Sequence, residues 1–337
     1  MMESLSRRPV RMYAEAGPPT EVFAEWLRRQ GYRVVRTASS WWYEHAPHIY
    51  QAFPFHWVIR PSERELADLL VGQRAVGLRY SAPLHAPVGK VSYHSVYDGA
   101  DYALHLLGPH ARRNVQHGLR CCAVEPIPFE RLADEGWELL ADTTERQGRR
   151  AGVSREAWRT RCLAARDLPG FEAWGALVGG ELAAALLAFQ MGDCYELLYQ
   201  QSRSQYLRDH VNNALCFVVT QAAIRRPAVR SIFYGLCSLD APASVDEFKF
   251  RMGFVAKPVR QRVVFHPWIA PLFNRASHAA VRALLAHRPG HPALAKAEGM
   301  IRFYLEGRRP VQEQDLPEPL KGPSAEAGNR FLMRAAR

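Results

Sequence analysis

Glu196 stands in the apolar run Cys194–Ser202, where a carboxylate is out of place unless something uses it. Strand alternation puts Glu196 with Leu198 and Gln200 on one face, and Tyr195, Leu197 and Tyr199 on the other. An ionised carboxylate buried without a partner is costly. Glu196 is therefore either a general base for deprotonating an amine or one half of a buried ion pair with an arginine. His210 opens a helical pattern, and a positive helix end keeps an imidazole neutral and able to take a proton. A purely structural histidine is the other reading there. Asn212 and Asn213 follow in the first turn, where a side-chain amide can cap the helix or hold a substrate carbonyl.

A second group of residues offers surface chemistry. The segment Ser39–Pro61 carries Trp41, Trp42, Tyr43, Tyr50, Phe53, Phe55 and Trp57. Such a cluster is core or a stacking platform for a ring. Adjacent residues of a strand point to opposite faces, so one of Trp41 and Trp42 is expected to line a surface or cleft. His45, His48 and His56 lie in the same segment, but their spacing is neither a helical pair nor a known zinc signature. No metal is expected.

Composition narrows the class. The chain has 337 residues, 48% of them hydrophobic and 23% charged, which is a globular balance with room for two domains. No apolar run approaches the roughly 20 residues that span a bilayer, and Met1–Tyr13 lacks an apolar signal core. The six cysteines form no CxxC pair and sit within apolar runs, as reduced thiols of a cytoplasmic protein would. A net charge of +11 fits an anionic partner, or a basic surface with no single target, since the arginines are spread along the chain. Dinucleotide fingerprints, P-loops and GxSxG elbows are absent from the sequence.

These residues must be positioned by the elements around them. Strands are expected at Phe171–Val178, Glu181–Gln190 and Cys194–Ser202, the first two joined by Gly179-Gly180, a two-residue hairpin turn. A long helix Asp209–Arg226, a strand Ser231–Leu236, a short helix around Lys249 and a strand Val259–Phe265 follow. Upstream, Cys122–Ile127 reads as a strand, with Phe129–Arg149 and Ser154–Ala165 as helices. Ser62 and Glu65 have capping-box spacing at the start of another helix. A helical segment runs from Pro267 to about Arg308, and Pro310–Arg337 reads as loosely ordered.

The order from Cys121 to Phe265 resembles the GNAT acyltransferase superfamily, and is most similar to its FemAB-like peptidyltransferases and BioF2-like acetyltransferase domains. Leu107–Val115 resembles the helix with an R-x-N pattern that opens the second domain of that branch, and Glu247–Phe254 resembles its FK-containing signature. The likeness implies an α/β (α+β) fold of two GNAT-like lobes with mixed sheets flanked by helices. Their bounds would be residues 1–100 and 101–266, followed by a helical extension (267–309) and a flexible tail (310–337).

It further implies an N-acyltransferase acting by direct attack of an amine on an acyl-CoA (acetyl-CoA) or similar donor. The acceptor would be a small amine, a peptide or a cell-wall precursor. Lys249 would stabilise charge on the attacked carbonyl. Arg203 and Arg208 would meet an anionic donor beside Asn212 and Asn213, and Trp41, Trp42, Tyr199 and Arg112 would meet the acceptor. One departure stands out: the GNAT pyrophosphate turn is glycine-rich, whereas Arg203–Asn213 contains no glycine. FemAB-like relatives, which take aminoacyl-tRNA, also lack a tidy version of this turn. A GNAT-like protein that has lost catalysis and binds a partner or nucleic acid through its basic surface is the competing reading.

Overall fold

The computed structural model describes residues 19–148, 152–239 and 243–321; Met1–Tyr13 and the end of the expected tail lie outside them. The strands are β1 (Val34–Arg36), β2 (Trp41–Ala46), β3 (Ile49–Phe53), β4 (Gly77–Ala82), β5 (Lys90–Tyr97), β6 (Ala123–Pro126), β7 (Phe171–Val178), β8 (Glu181–Met191), β9 (Cys194–Ser202), β10 (Ser231–Leu236) and β11 (Val255–Phe265). They form one eleven-stranded mixed sheet in the order β1-β2-β3-β4-β11-β5-β10-β9-β8-β7-β6. The pairs β3–β4 and β9–β10 are parallel; the remaining neighbours are antiparallel.

Two features make this sheet continuous across residue 100. β5, from the first part of the chain, pairs with β10 on one edge and with β11 on the other. β11, the last strand, lies between β4 and β5 and reaches back to Val255, four residues before its expected start. The two expected lobes thus share one sheet.

The helices are α1 (Thr20–Arg29), α2 (Glu63–Gly72), α3 (Pro109–Cys121), α4 (Phe129–Arg146), α5 (Arg155–Leu163), α6 (Val211–Ile224), α7 (Ala243–Arg251), α8 (Arg275–His287) and α9 (Pro292–Gly307). Around β7–β9, α3 and α6 cover one face by packing Val115, Val211 and Leu215 with Tyr195 of β9, while α1, α4 and α5 cover the other by packing Phe23, Leu139 and Trp158 with Phe189 of β8. β8 is consequently apolar on both faces from Leu182 to Phe189. Gly179 and Gly180 both take positive φ, 58° and 88°, as the hairpin turn requires.

Local chemistry explains several boundaries. Ser62 Oγ accepts from the Glu65 amide, and the Glu65 carboxylate also holds Ser39, accepting from its amide (2.9 Å) and its hydroxyl (2.6 Å). Part of the expected loose tail is packed: Gln314 is buried and accepts from the Val91 amide at 2.8 Å, and Leu320 joins Val91 and Tyr93 in a small apolar cluster. The extension is held because α9 buries Met300, Ile301 and Phe303 against Val263 and Phe265 of β11.

Candidate functional site

β9 and β10 are paired only from Cys194–Glu196 against Ser231–Phe233. Past those residues β9 stays with β8, while β10 follows β5, so the C-terminal halves of the two strands part. The notch between them opens at the carboxyl ends of parallel strands beside the start of α6, where mixed α/β sheets commonly place ligands.

Side chains from five elements meet at this notch. The Tyr234 hydroxyl donates to Gln200 Oε1, and Gln200 Nε2 donates to the Asn212 carbonyl (3.1 Å) and Oδ1 (3.3 Å). Asn212 Nδ2 donates to Ser202 Oγ at 2.7 Å. On the other side of Tyr234, Lys249 Nζ lies 5.3 Å from its ring centre and 2.7 Å from Asp246 Oδ1. The Tyr93 hydroxyl donates to Asp246 Oδ2 at 2.7 Å, and burial followed by the Cys237 and Asp246 charges pushes the Tyr93 pKa up. Lys249 is only 8% exposed, so its cation sits beside an aromatic face with little water to screen it. Asn213 Nδ2 reaches Met252 Sδ at 3.3 Å. The structure therefore brings Lys249, Asn212 and Asn213 to one region. Gln200, Tyr234, Tyr93 and Asp246 complete it, and no short motif marks them.

Glu196 belongs elsewhere. A β-bulge leaves Leu198 without a partner on β8, since Leu187 faces Tyr199 while Ala188 faces Leu197. The alternation therefore breaks: Leu198 and Tyr199 pack together towards α4 and α5, and Gln200 turns to α6. Glu196 is fully buried and its Oε1 lies 2.5 Å from Nδ1 of His56, so its partner is a histidine and not the expected arginine. Burial alone would hold His56 down, but Cys194 and the Glu196 carboxylate outweigh it and lift its pKa to about 10. Close by, burial and then the His56 charge push His94 down to about 3, and its Nε2 lies 2.8 Å from Ser81 Oγ.

The remaining expected residues take separate positions. His210 adopts a left-handed backbone (φ 53°) between a 3₁₀ turn, Ser204–Asp209, and α6. Its pKa is lowered by burial and then by His117 and Arg113, which is the expected direction from a different cause. Arg203 pairs with Glu138 at 2.9 Å, and Arg208 is exposed. Arg112 donates to the carbonyls of Leu104, His105 and Leu107, closing the turn before α3. Tyr199 packs edge-on against Trp158, with Arg161 over its ring at 4.7 Å.

Trp41 and Trp42 do point to opposite faces, yet both are buried. Trp41 packs with Phe53 under α1, and Trp42 with Tyr80 under α2. The expectation that one of them lines an open surface fails because helices cover both faces of β2. The aromatic segment does line a pocket, but through Phe55 and Trp57, together with Gln51, Arg79, Ser81 and Gln261.

No family model and no curated protein matches the chain. Among solved structures, the crystal structure of FemX superposes with a TM-score of 0.52 at 10% identity, covering 74% of this chain and 92% of that one. L-PGS from Bacillus licheniformis gives 0.49 at 11% identity, covering 76% and 95%, and a tandem GNAT protein from the clavulanic acid biosynthesis pathway gives 0.45 at 11%, covering 69% and 82%. The FemX likeness shows that the chain shares the fold of that protein. No helix among the described residues is long and apolar enough to cross a membrane.

Proposed function

We propose that the chain is an acyltransferase that joins an acyl or aminoacyl group to an amine at the notch between β9 and β10. The observation that carries this reading is Lys249: a nearly buried cation, oriented by Asp246, beside Tyr234 at the parting of two parallel strands. The amine nitrogen attacks the donor carbonyl, a C–N bond forms, and the ester C–O or thioester C–S bond breaks. The proton released by the amine leaves with the departing oxygen or sulfur. Lys249 faces the carbonyl oxygen while negative charge grows on it, and Asp246, held by Tyr93, positions that lysine. Glu196 and His210 lie outside the network of side chains at the notch and have no role as base in this reading.

The donor side favours an aminoacyl ester over acyl-CoA. A 3₁₀ turn stands where the glycine-rich turn would be, and α3 closes on it: a Cβ on Gly118 would lie 2.6 Å from the His210 carbonyl oxygen. Backbone room for a pyrophosphate is missing there. A charged tRNA presented to a chain of net charge +11 fits both facts; the reaction would then be cytoplasmic, with a small amine, peptide or cell-wall precursor as acceptor. Melting of the full chain with acetyl-CoA, a longer acyl-CoA, or charged and uncharged tRNA tests this by linkage. A rise with charged tRNA alone supports the reading, and a rise with CoA esters moves the donor back to the thioester class.

One observation favours the inactive reading: the Lys249 cation is already paired with Asp246. Binding of charged and uncharged tRNA with equal affinity, and no transfer to any amine, would establish that reading instead.

A further inference from the structure

The junction between α3 and the start of α6 carries a set of side chains that the transfer reaction does not use. His117 and Cys121 are four residues apart on α3 and so share one face of that helix. Asp209 ends the 3₁₀ turn before α6 and faces them. One ligand atom from each of His117, Cys121 and Asp209 lies within 4.8 Å of the other two, and His117 Nε2 is 3.4 Å from Cys121 Sγ. The His210 ring stands next to this group, its centre 5.4 Å from that of His117.

These distances have a physical meaning. Four ligands at roughly 2.0–2.3 Å from a tetrahedral zinc ion are separated by about 3.3–3.8 Å from each other. The His117–Cys121 spacing already fits, and the wider limit for Asp209 is within reach of a side-chain rotation. Among the described residues the Asp209 carboxylate has neither an ion pair nor a side-chain hydrogen bond, though its charge acts on His210. All three residues are partly exposed, so an ion can enter from solvent. The packing is also unusually close, because Gly118 brings α3 against the His210 backbone and thereby presses the two ligand-bearing segments together.

We infer that His117, Cys121 and Asp209 form a binding site for a borderline-soft divalent cation of the zinc type, with His210 beside its fourth position. Thiolate, imidazole and carboxylate in one set select zinc or cobalt over magnesium and calcium, which prefer oxygen alone. The bound ion would tie α3 to the segment that leads into α6. Binding deprotonates the Cys121 thiol and releases that proton to solvent. The inference does not rest on the acyl-transfer reading, since the notch residues are a different set.

Cobalt titration of the purified full-length protein tests it. Wild type should develop a thiolate-to-cobalt charge-transfer band in the near ultraviolet with tetrahedral bands in the visible, and zinc should displace both. Cys121→Ser should abolish the charge-transfer band, whereas Cys122→Ser, a buried thiol that bonds the Gly118 carbonyl, should keep it. His117→Gln and Asp209→Asn should each weaken binding by more than about tenfold, as loss of a ligand must cost at least what loss of an outer-shell partner does. These two variants also serve should Cys121→Ser fail to fold. No spectrum in a large excess of cobalt, or a charge-transfer band that survives Cys121→Ser, overturns the inference.

Discussion

Glu196 and His56 are 140 residues apart in the chain and meet at 2.5 Å, both buried, beneath the point where β9 and β10 separate. This pair fixes the aromatic segment of the first hundred residues to the central strands.

The pair predicts an alkaline limb in the stability of the protein. His56 is lifted from 6.5 to about 10, so its folded form holds the proton more tightly than the unfolded chain does. That contribution is fully present below pH 6.5 and is lost as pH rises towards 10. His94 has the opposite sign: lowered from 6.5 to about 3, it contributes above pH 6.5 and loses its contribution as pH falls towards 3. The two histidines together place their joint optimum near pH 6.5. Denaturant midpoints measured from pH 4 to 10 should fall on both sides, and Glu196→Gln should flatten the alkaline side selectively. An unchanged alkaline slope in that variant would show that the carboxylate does not hold His56 charged.

Gly118→Ala should destabilise the protein. The added methyl would lie 2.6 Å from the His210 carbonyl oxygen and 3.0 Å from the Ala214 Cβ, and the first of these is backbone that cannot rotate away. Better helix propensity recovers about 1 kcal/mol, while overpacking of this kind costs about 1–3 kcal/mol. A net loss in chemical denaturation is expected, and a gain would mean that α3 sits farther from α6 than described.

Much of the sheet was legible in the sequence, and the failures have distinct physical causes. The five strands from Phe171 to Phe265 could be read because glycine turns and apolar runs are local signals. The placement of β11 between β4 and β5 could not, since pairing between segments about 180 residues apart leaves no mark in either one. At the site, Asn212 stood out in the first turn of a helical pattern and Lys249 through the FK-containing stretch, but Gln200 reaches Asn212 and Tyr234 only because the bulge at Leu198 turns it to the α6 face. The same bulge separates Glu196 from that face. Trp41 and Trp42 misled for a third reason. Alternation gives the direction of a side chain and says nothing of whether a helix covers that side.

Gln314 gives a test of the carboxyl-terminal extension. Its Oε1 accepts from the Val91 amide at 2.8 Å, and its Nε2 donates to the carbonyls of Arg309 (2.9 Å) and Gly89 (3.3 Å). Val91 is fully buried, so Gln314→Ala leaves a buried N–H without a partner. A loss of about 1–3 kcal/mol in urea denaturation is expected. A change within about 0.5 kcal/mol, the range of an ordinary surface substitution, would show that the segment past Pro310 is only loosely attached.

Lys249→Ala should slow single-turnover transfer about a hundredfold, since removing one donor aimed at developing charge raises a barrier by about 3 kcal/mol. Stability will fall as well. Lys249 is nearly buried and pairs with Asp246 at 2.7 Å, so the expectation for an exposed lysine does not apply. Asp246→Asn separates the two effects. It breaks the same ion pair and leaves the cation in place, so it should lower the denaturation midpoint comparably while slowing transfer much less. Rates are compared on folded protein at saturating donor, with circular dichroism setting the folded fraction. If both variants slow transfer equally, the pair acts through the shape of the notch, and Lys249 is a positioning residue without a direct role at the carbonyl.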